Sequence, residues 1–221
     1  RFGFGRATGI PLPAESSGMV RELRYWGKSS IGSVAMGHEI SSTTVQLARA
    51  VTAIANGGLL VEPRLILRRQ RTGDAPLAEP ALPPQRVIKP ETAITMRQLM
   101  ERVVLEGTGK LARLQGYTAG GKTGSAQIFD PVTKRYTHQY NASFMGFAPV
   151  GVPAVVVVVT LNGASRFGGA VAAPVFREVA SAALRLLDVP KDLPDTPPDR
   201  EDVPVDFDDL AIADLGSLAP S

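Results

Sequence analysis

The 221 residues, 44% of them hydrophobic, are enough for one sizeable core, and the net charge of +3 conceals an asymmetry. From Asp188 to Ser221 nine aspartates and Glu201 stand against Lys191 and Arg200, a balance of −8 that leaves +11 for residues 1–187. The composition excludes several classes: there is no cysteine for disulfides or thiolate–metal sites, and His38 and His138 are too few and too far apart for a metal centre, so neither metal nor cofactor is expected. The longest apolar run, residues 154–161, falls short of the roughly 18 residues a membrane helix needs. Basic residues are scattered without interleaved aromatics, which argues for a solvated basic surface, suited to an anionic polymer or membrane surface, and against a nucleic-acid partner.

In chain order, residues 1–40 are rich in Gly, Ser and Pro and predict ordered loop with short elements. "SSTTVQLARAVTAIANGG" predicts a helix capped by its Ser/Thr cluster and stopped at Asn56-Gly57-Gly58, with Leu47, Ala48, Val51, Ile54 and Ala55 on one face. "LLVEPRLILRR" predicts a strand pair broken at Pro63, and residues 70–86 a surface excursion. A second helix is expected from Pro90 to Gly107, with Met96, Leu99, Met100 and Val103 facing inward.

Three strands follow, at about 117–129, 141–149 and 154–161, joined by a polar loop with a turn at Asp130-Pro131 and by a second hairpin near Pro149 and Gly151. A meander results. "AAPVFREVASAALRLL" then predicts a long helix covering one face of that sheet, with Ala172, Val175, Phe176, Val179, Ala183 and Leu186 inward and Pro174 tolerated in its first turn. The whole reads as an α+β arrangement, an antiparallel sheet packed with helices over residues 1–188. Residues 189–221, acidic and rich in proline, predict a disordered tail in which only "LAIADLGSL" has the pattern of a short helix.

The chemistry sits in "GGKTGSAQ". An edge strand that binds an anionic peptide-like substrate needs a cation near the negative group and hydroxyls for its carboxylate. It also needs a glycine that lets the substrate backbone lie close. Lys122, Thr123 and Ser125, and Gly124 supply these in turn. The residues equally suit a solvated strand lysine, a β-forming threonine and a bulge glycine.

Five segments extend the pattern in order: "FGFGRATGIPLPAESSG", "EISSTTVQLARAVTAIANGG", "GGKTGSAQ", "ASFMGFAPVGVPAVVVVVTLN" and "FGGAVAAPVFREV". Together they resemble the C-terminal half of the transpeptidase domain of class B penicillin-binding proteins, most of all the division-specific type, so an incomplete penicillin-binding-protein/β-lactamase-like fold is expected. The resemblance implies D,D-transpeptidation: a serine attacks the D-Ala-D-Ala end of a peptidoglycan stem peptide, and the acyl group passes to an amine of a neighbouring strand. It implies β-lactams as inhibitors that trap the acyl-enzyme, divisome membrane proteins as partners, and a place on the periplasmic side of the inner membrane. By the same resemblance Lys122, Thr123, Gly124 and Ser125 are the third active-site motif, the Ser125 amide contributes to an oxyanion hole, and Thr123, Ser125, Gln127, Phe167 and Gly168, with Gly169, border the substrate. Phe167 reads equally as a core aromatic and Gln127 as a solvated residue; Tyr136, His138 and Tyr140 are expected in the hairpin loop, near an acceptor site or merely exposed.

Two parts of the family's site are missing from these residues. The six lysines have Tyr25, Arg86, Gly107, Ala119, Pro131 and Asp188 three positions earlier, so there is no Ser-x-x-Lys; no asparagine has serine two positions before it. With Arg1 as the first residue and neither initiator methionine, signal nor anchor, the chain reads as a fragment whose nucleophile and general base lie elsewhere, inactive alone. Such a fragment is expected to expose apolar surface, for instance on the five-valine strand, and to self-associate or bind its missing half. Two other readings use the same residues: a non-catalytic module that binds peptidoglycan or divisome proteins, and a β-lactamase or β-lactam sensor.

Overall fold

The computed structural model describes residues 1–66, 68–70, 72, 77–78 and 82–194. Its centre is an antiparallel meander in the order β7-β8-β9, formed by β7 (Gly120–Asp130), β8 (Arg135–Ala148) and β9 (Val155–Ala164). Asp130 closes the first hairpin: its carboxylate accepts from the Thr133 hydroxyl at 2.7 Å and the Val132 N–H at 2.8 Å, and these bonds hold its pKa below the ordinary value. The turn at Asp130-Pro131 is therefore as the sequence predicts, but the loop is shorter. Strand β8 begins at Arg135, so Tyr136, His138 and Tyr140 lie on a strand and not in a loop.

Period-two alternation divides the sheet's side chains between two layers of helix. Ala142, Phe144 and Ala148 of β8, with Val155, Val157 and Val159 of β9, share a cluster with α4 (Gly168–Leu186). Phe147, Met145 and Val156 turn the other way, onto Val51 and Ala55 of α2 (Thr44–Ala55) and Met100 of α3 (Pro90–Leu105). Phe144 and Phe176 meet with ring centroids 4.8 Å apart, and both are fully buried. Gly121 makes that possible, because a Cβ there would lie 2.3 Å from the Phe144 ring.

Helix α2 starts at the predicted cap. The Thr43 hydroxyl accepts from the Gln46 N–H while the Gln46 amide oxygen accepts from the Thr43 N–H. Gln46 is also buried, and its Nε2 donates to the carbonyls of Arg6 and Ser17, both at 2.8 Å. One side chain thus starts the helix and pins the preceding loop to it.

Several expected faces are rotated. On α3 the buried residues are Ala93, Met100 and Val104, while Leu99 is 52% exposed. On α4 the buried stripe is Ala172, Ala173, Phe176, Ala180 and Leu184; Val175, Val179 and Leu186 point outward. The reason is steric: α4 enters through Gly168 and Gly169, which press on β7, β8 and Thr108, and that contact sets its rotation before hydrophobicity can. Because α4 starts at Gly168, Pro174 lies in its second turn, not its first. Nor do Leu59–Leu60 (β3) and Arg68–Arg69 (β4) pair with each other; β3 pairs with β6 (Gln85–Arg86) and β4 with β5 (Leu77–Ala78). Of the valines of β9, Val159 is buried and the other four are half-buried, not open.

The first 43 residues carry β1 (Met19–Val20), α1 (Ser30–Ala35) and β2 (Ile40–Ser41), with β1 and β2 paired antiparallel. Their large apolar groups are open: Met19, Leu23, Ile31 and Met36 are between 58% and 78% exposed. After α4 the chain folds back, with the Tyr117 hydroxyl donating to the Val189 carbonyl and Asp192 accepting from the Thr118 N–H, both at 2.8 Å. The expected disordered tail, with its "LAIADLGSL", lies outside the described residues from 195 onward, as do residues 71, 73–76 and 79–81 of the excursion at 70–86. Among the described residues no helix is long and apolar enough to cross a membrane, and no group of three His, Asp or Glu is placed to hold a metal.

Candidate active site

Among the described residues β7 pairs only with β8, so its other edge is free to meet an extended chain. Lys122, Thr123, Gly124 and Ser125 pair with Met145, Phe144, Ser143 and Ala142 in unbroken register, and alternation sends Thr123 and Ser125 to the face that α4 covers. Lys122 and Gly124 lie on the opposite face. The Lys122 ammonium folds along the strand, donating to the Thr123 carbonyl at 2.9 Å and reaching the Thr123 hydroxyl at 3.5 Å.

The N-terminus of α4 completes one wall. Phe167 is its cap residue, and the Gly168 N–H donates to Ser125 Oγ at 3.0 Å. A side chain at Gly168 is impossible without movement, because its Cβ would lie 2.3 Å from the Ser143 carbonyl and 2.4 Å from that of Gly124. The resulting close approach puts the positive end of a 19-residue helix beside the two hydroxyls. Such an end favours an anion.

Phe167 is half-buried, its ring packed edge-on against Tyr140 with centroids 4.9 Å apart. It therefore braces β8 against α4 as well as bordering the site. Gln127 pairs with Tyr140 across the strands and is exposed, while His138 and Tyr136 lie further out, Tyr136 against Phe129 at 5.5 Å. The structure thus gathers Lys122, Thr123, Gly124, Ser125, Phe167 and Gly168 at one strand edge. Tyr136 and His138 stand apart from it.

One residue at this edge escaped sequence reasoning. Thr108 follows α3 in "EGTGK", and its hydroxyl oxygen lies 2.7 Å from that of Thr123. Its carbonyl also presses on Gly169. The available signal was a hydroxyl residue set between two glycines after a helix, which by itself says no more than turn.

The penicillin-binding protein transpeptidase domain model matches residues 1–181. Among curated proteins, the chain is 36% identical over 203 residues to penicillin-binding protein PbpB of Mycolicibacterium smegmatis, covering 86% of this chain and 31% of that one. It is 36% identical to stage V sporulation protein D of Bacillus subtilis (85% and 30% covered) and 32% identical to peptidoglycan D,D-transpeptidase FtsI of Escherichia coli (87% and 32%). Of solved structures, penicillin-binding protein 3 of Mycobacterium tuberculosis complexed with ampicillin superposes with a TM-score of 0.80 at 32% identity, over 89% of this chain and 46% of that one. The apo transpeptidase domain of Burkholderia pseudomallei penicillin-binding protein 3 gives 0.74 at 33% identity, over 87% and 57%. The chain spans about a third of the length of these curated relatives and roughly half of the solved chains. The mixed fold, the motif strand and the family match agree: this chain belongs to the penicillin-binding protein transpeptidase family.

Proposed function

We propose that residues 1–188 are the C-terminal part of a serine-type peptidoglycan D,D-transpeptidase and form the substrate-binding wall of its active site. The observation that carries this reading is the pair of hydroxyls, Thr123 and Ser125, on a free-edged strand with the α4 N-terminus hydrogen-bonded to one of them. The stem peptide, or a β-lactam in its place, lies extended along β7, with its carboxylate at the two hydroxyls, Lys122 supplying positive charge, and Gly124 leaving room for its backbone. The Ser125 amide is one oxyanion donor. A serine oxygen forms the ester with the penultimate D-Ala carbonyl as terminal D-Ala leaves; an acceptor amine then takes the acyl group and returns the proton to the serine.

The serine and its lysine base are assigned to a segment outside these 221 residues, since neither Ser-x-x-Lys nor Ser-x-Asn occurs among them. The isolated chain does not acylate, and its exposed apolar groups at Met19, Leu23, Ile31 and Met36 pair with the missing half or with a second copy. The parent works on the periplasmic side of the cell membrane, in division, with membrane proteins of the divisome as partners.

Intact-mass spectrometry of the full gene product beside this chain, after excess penicillin, tests the proposal. An adduct on the parent alone is expected. An adduct on the isolated chain overturns its assignment as inactive; no adduct on either favours a non-catalytic binding module.

A further inference from the structure

Thr123 and Ser125 share a property that neither residue type nor spacing reveals: each hydroxyl oxygen is approached from the protein side. Ser125 Oγ accepts from the Gly168 N–H at 3.0 Å. A hydroxyl whose lone pair is taken by a protein donor keeps its own proton for a ligand, and so recognises an anion. Thr123 needs an equivalent partner, and Thr108 Oγ1 stands 2.7 Å from Thr123 Oγ1. Among the described residues the other hydrogen-bond partner of that oxygen is Lys122 Nζ, at 3.5 Å, which is itself donating to the Thr123 carbonyl at 2.9 Å.

We propose that Thr108 is a positioning residue for the acyl-donor carboxylate: it donates its hydroxyl proton to Thr123 and so leaves the Thr123 O–H free to donate outward, as Gly168 does for Ser125. The reverse sense would spend the Thr123 proton on Thr108 and present a lone pair to a negatively charged group, which is repulsive. Arrival of an anion therefore selects the first sense. Thr108 is well placed to hold the arrangement. The amides of Gly107 and Gly109 on either side of it both donate to the Val103 carbonyl at the end of α3, at 3.2 and 3.0 Å, and its own carbonyl abuts Gly169. The hydroxyl is thus fixed by the backbone of one helix end and the entry of another.

This inference rests on the proposed function, and its test separates the two. The full gene product is prepared as wild type, Thr108→Val and Thr108→Ser, and acylation by penicillin and by its carboxyl methyl ester is followed by intact mass over a range of concentrations. Valine keeps the shape and removes the donor; about a 5-fold loss of acylation efficiency with penicillin is expected, carried by the concentration dependence and not by the maximum rate. The ester, which has no carboxylate, is expected to lose little, so the preference of the protein for acid over ester falls by a similar factor. Serine restores it. An unchanged preference in Thr108→Val, or equal losses for valine and serine, overturns the role of Thr108 alone. Absence of any adduct on wild type overturns the functional reading, and the role of Thr108 with it.

Discussion

The sheet with α4 and the first 43 residues are held together by different physics. In the former, Phe144, Phe176 and Leu184 are completely buried and pack with Ala172, Ala173 and Ala180, while Phe147 is completely buried on the other face of the sheet against Val51, Ala55 and Met100. In the latter, the buried residues are Thr8 and Ser30, and the apolar contribution is slight, with Phe2 only partly buried against Ala53, Leu60 and Val87. Order there comes from polar clasps: Gln46 on the carbonyls of Arg6 and Ser17, and Glu15 accepting from the N–H and hydroxyl of Thr8 and from the Gly9 N–H. A region built on clasps opens locally at low cost, whereas one built on a packed core opens only with the whole unit. The site lies on the second kind.

The largest effect that would break this contrast is loss of the core. Phe176→Ala is expected to destabilise the sheet and α4 by about 3–5 kcal/mol, read as a shift of the denaturant midpoint in chemical unfolding. A shift of less than about 1 kcal/mol would mean that α4 contributes little to the core. Next, Gly168→Ala forces a Cβ against the carbonyls of Ser143 and Gly124 and is expected to cost roughly 1–3 kcal/mol. Under the proposed function it is also expected to slow penicillin acylation of the full gene product, because the shift that clears the new Cβ moves the backbone N–H of residue 168 away from Ser125 Oγ. Acylation at the wild-type rate would show that this contact is dispensable.

Gln46→Ala sharpens the comparison from the other side. Removing the side chain leaves two carbonyls without their donor and the Thr43 N–H without its acceptor, and is expected to cost about 1–3 kcal/mol, confined to residues 5–18 and the first turn of α2. Native-state hydrogen exchange checks it: faster exchange there, with β8 and β9 protected as before. Equal acceleration throughout would mean the two regions unfold together.

The smallest effect is a pH response. Hydrogen bonds from the Thr8 hydroxyl and amide hold the Glu15 carboxyl below its ordinary value of 4.5, against an opposing push from desolvation. Its folded pKa being the lower one, the clasp contributes fully above the unfolded value and is lost as pH falls through the folded value. Amide protection at Thr8 and Gly9 is therefore expected to drop in acid below pH 4.5 in wild type. In Glu15→Gln it should be weaker and level with pH; a wild-type profile that is equally level would remove Glu15 from the account.

Much of this organisation was legible in advance. The cap at Thr43, the α3 start at Pro90, the turn at Asp130 and the strand-borne Lys-Thr-Gly all follow from local chemistry, as does the meander from its short polar connections. The rotations of α3 and α4 did not follow. Leu99, Val175, Val179 and Leu186 fit a helical period as well as the residues that are buried, and hydrophobicity cannot choose between adjacent stripes. The choice fell to small residues at the contact, Gly168, Gly169, Ala172 and Ala173, which allow the helix to approach. Gln46 was illegible as a core residue for a related reason: its burial is offset only by carbonyls 29 and 40 positions away.

The sequence by itself determined where the elements start and stop, which strand carries the cation and hydroxyls, and which family the chain resembles. These depend on neighbours within a few positions or on the order of motifs. Only the tertiary structure decided that Thr123 meets Thr108 and that Ser125 meets Gly168, a residue 43 positions on. Hydrogen-bond partners of a side chain are set by how two elements dock, and docking depends on the volume of every residue between them.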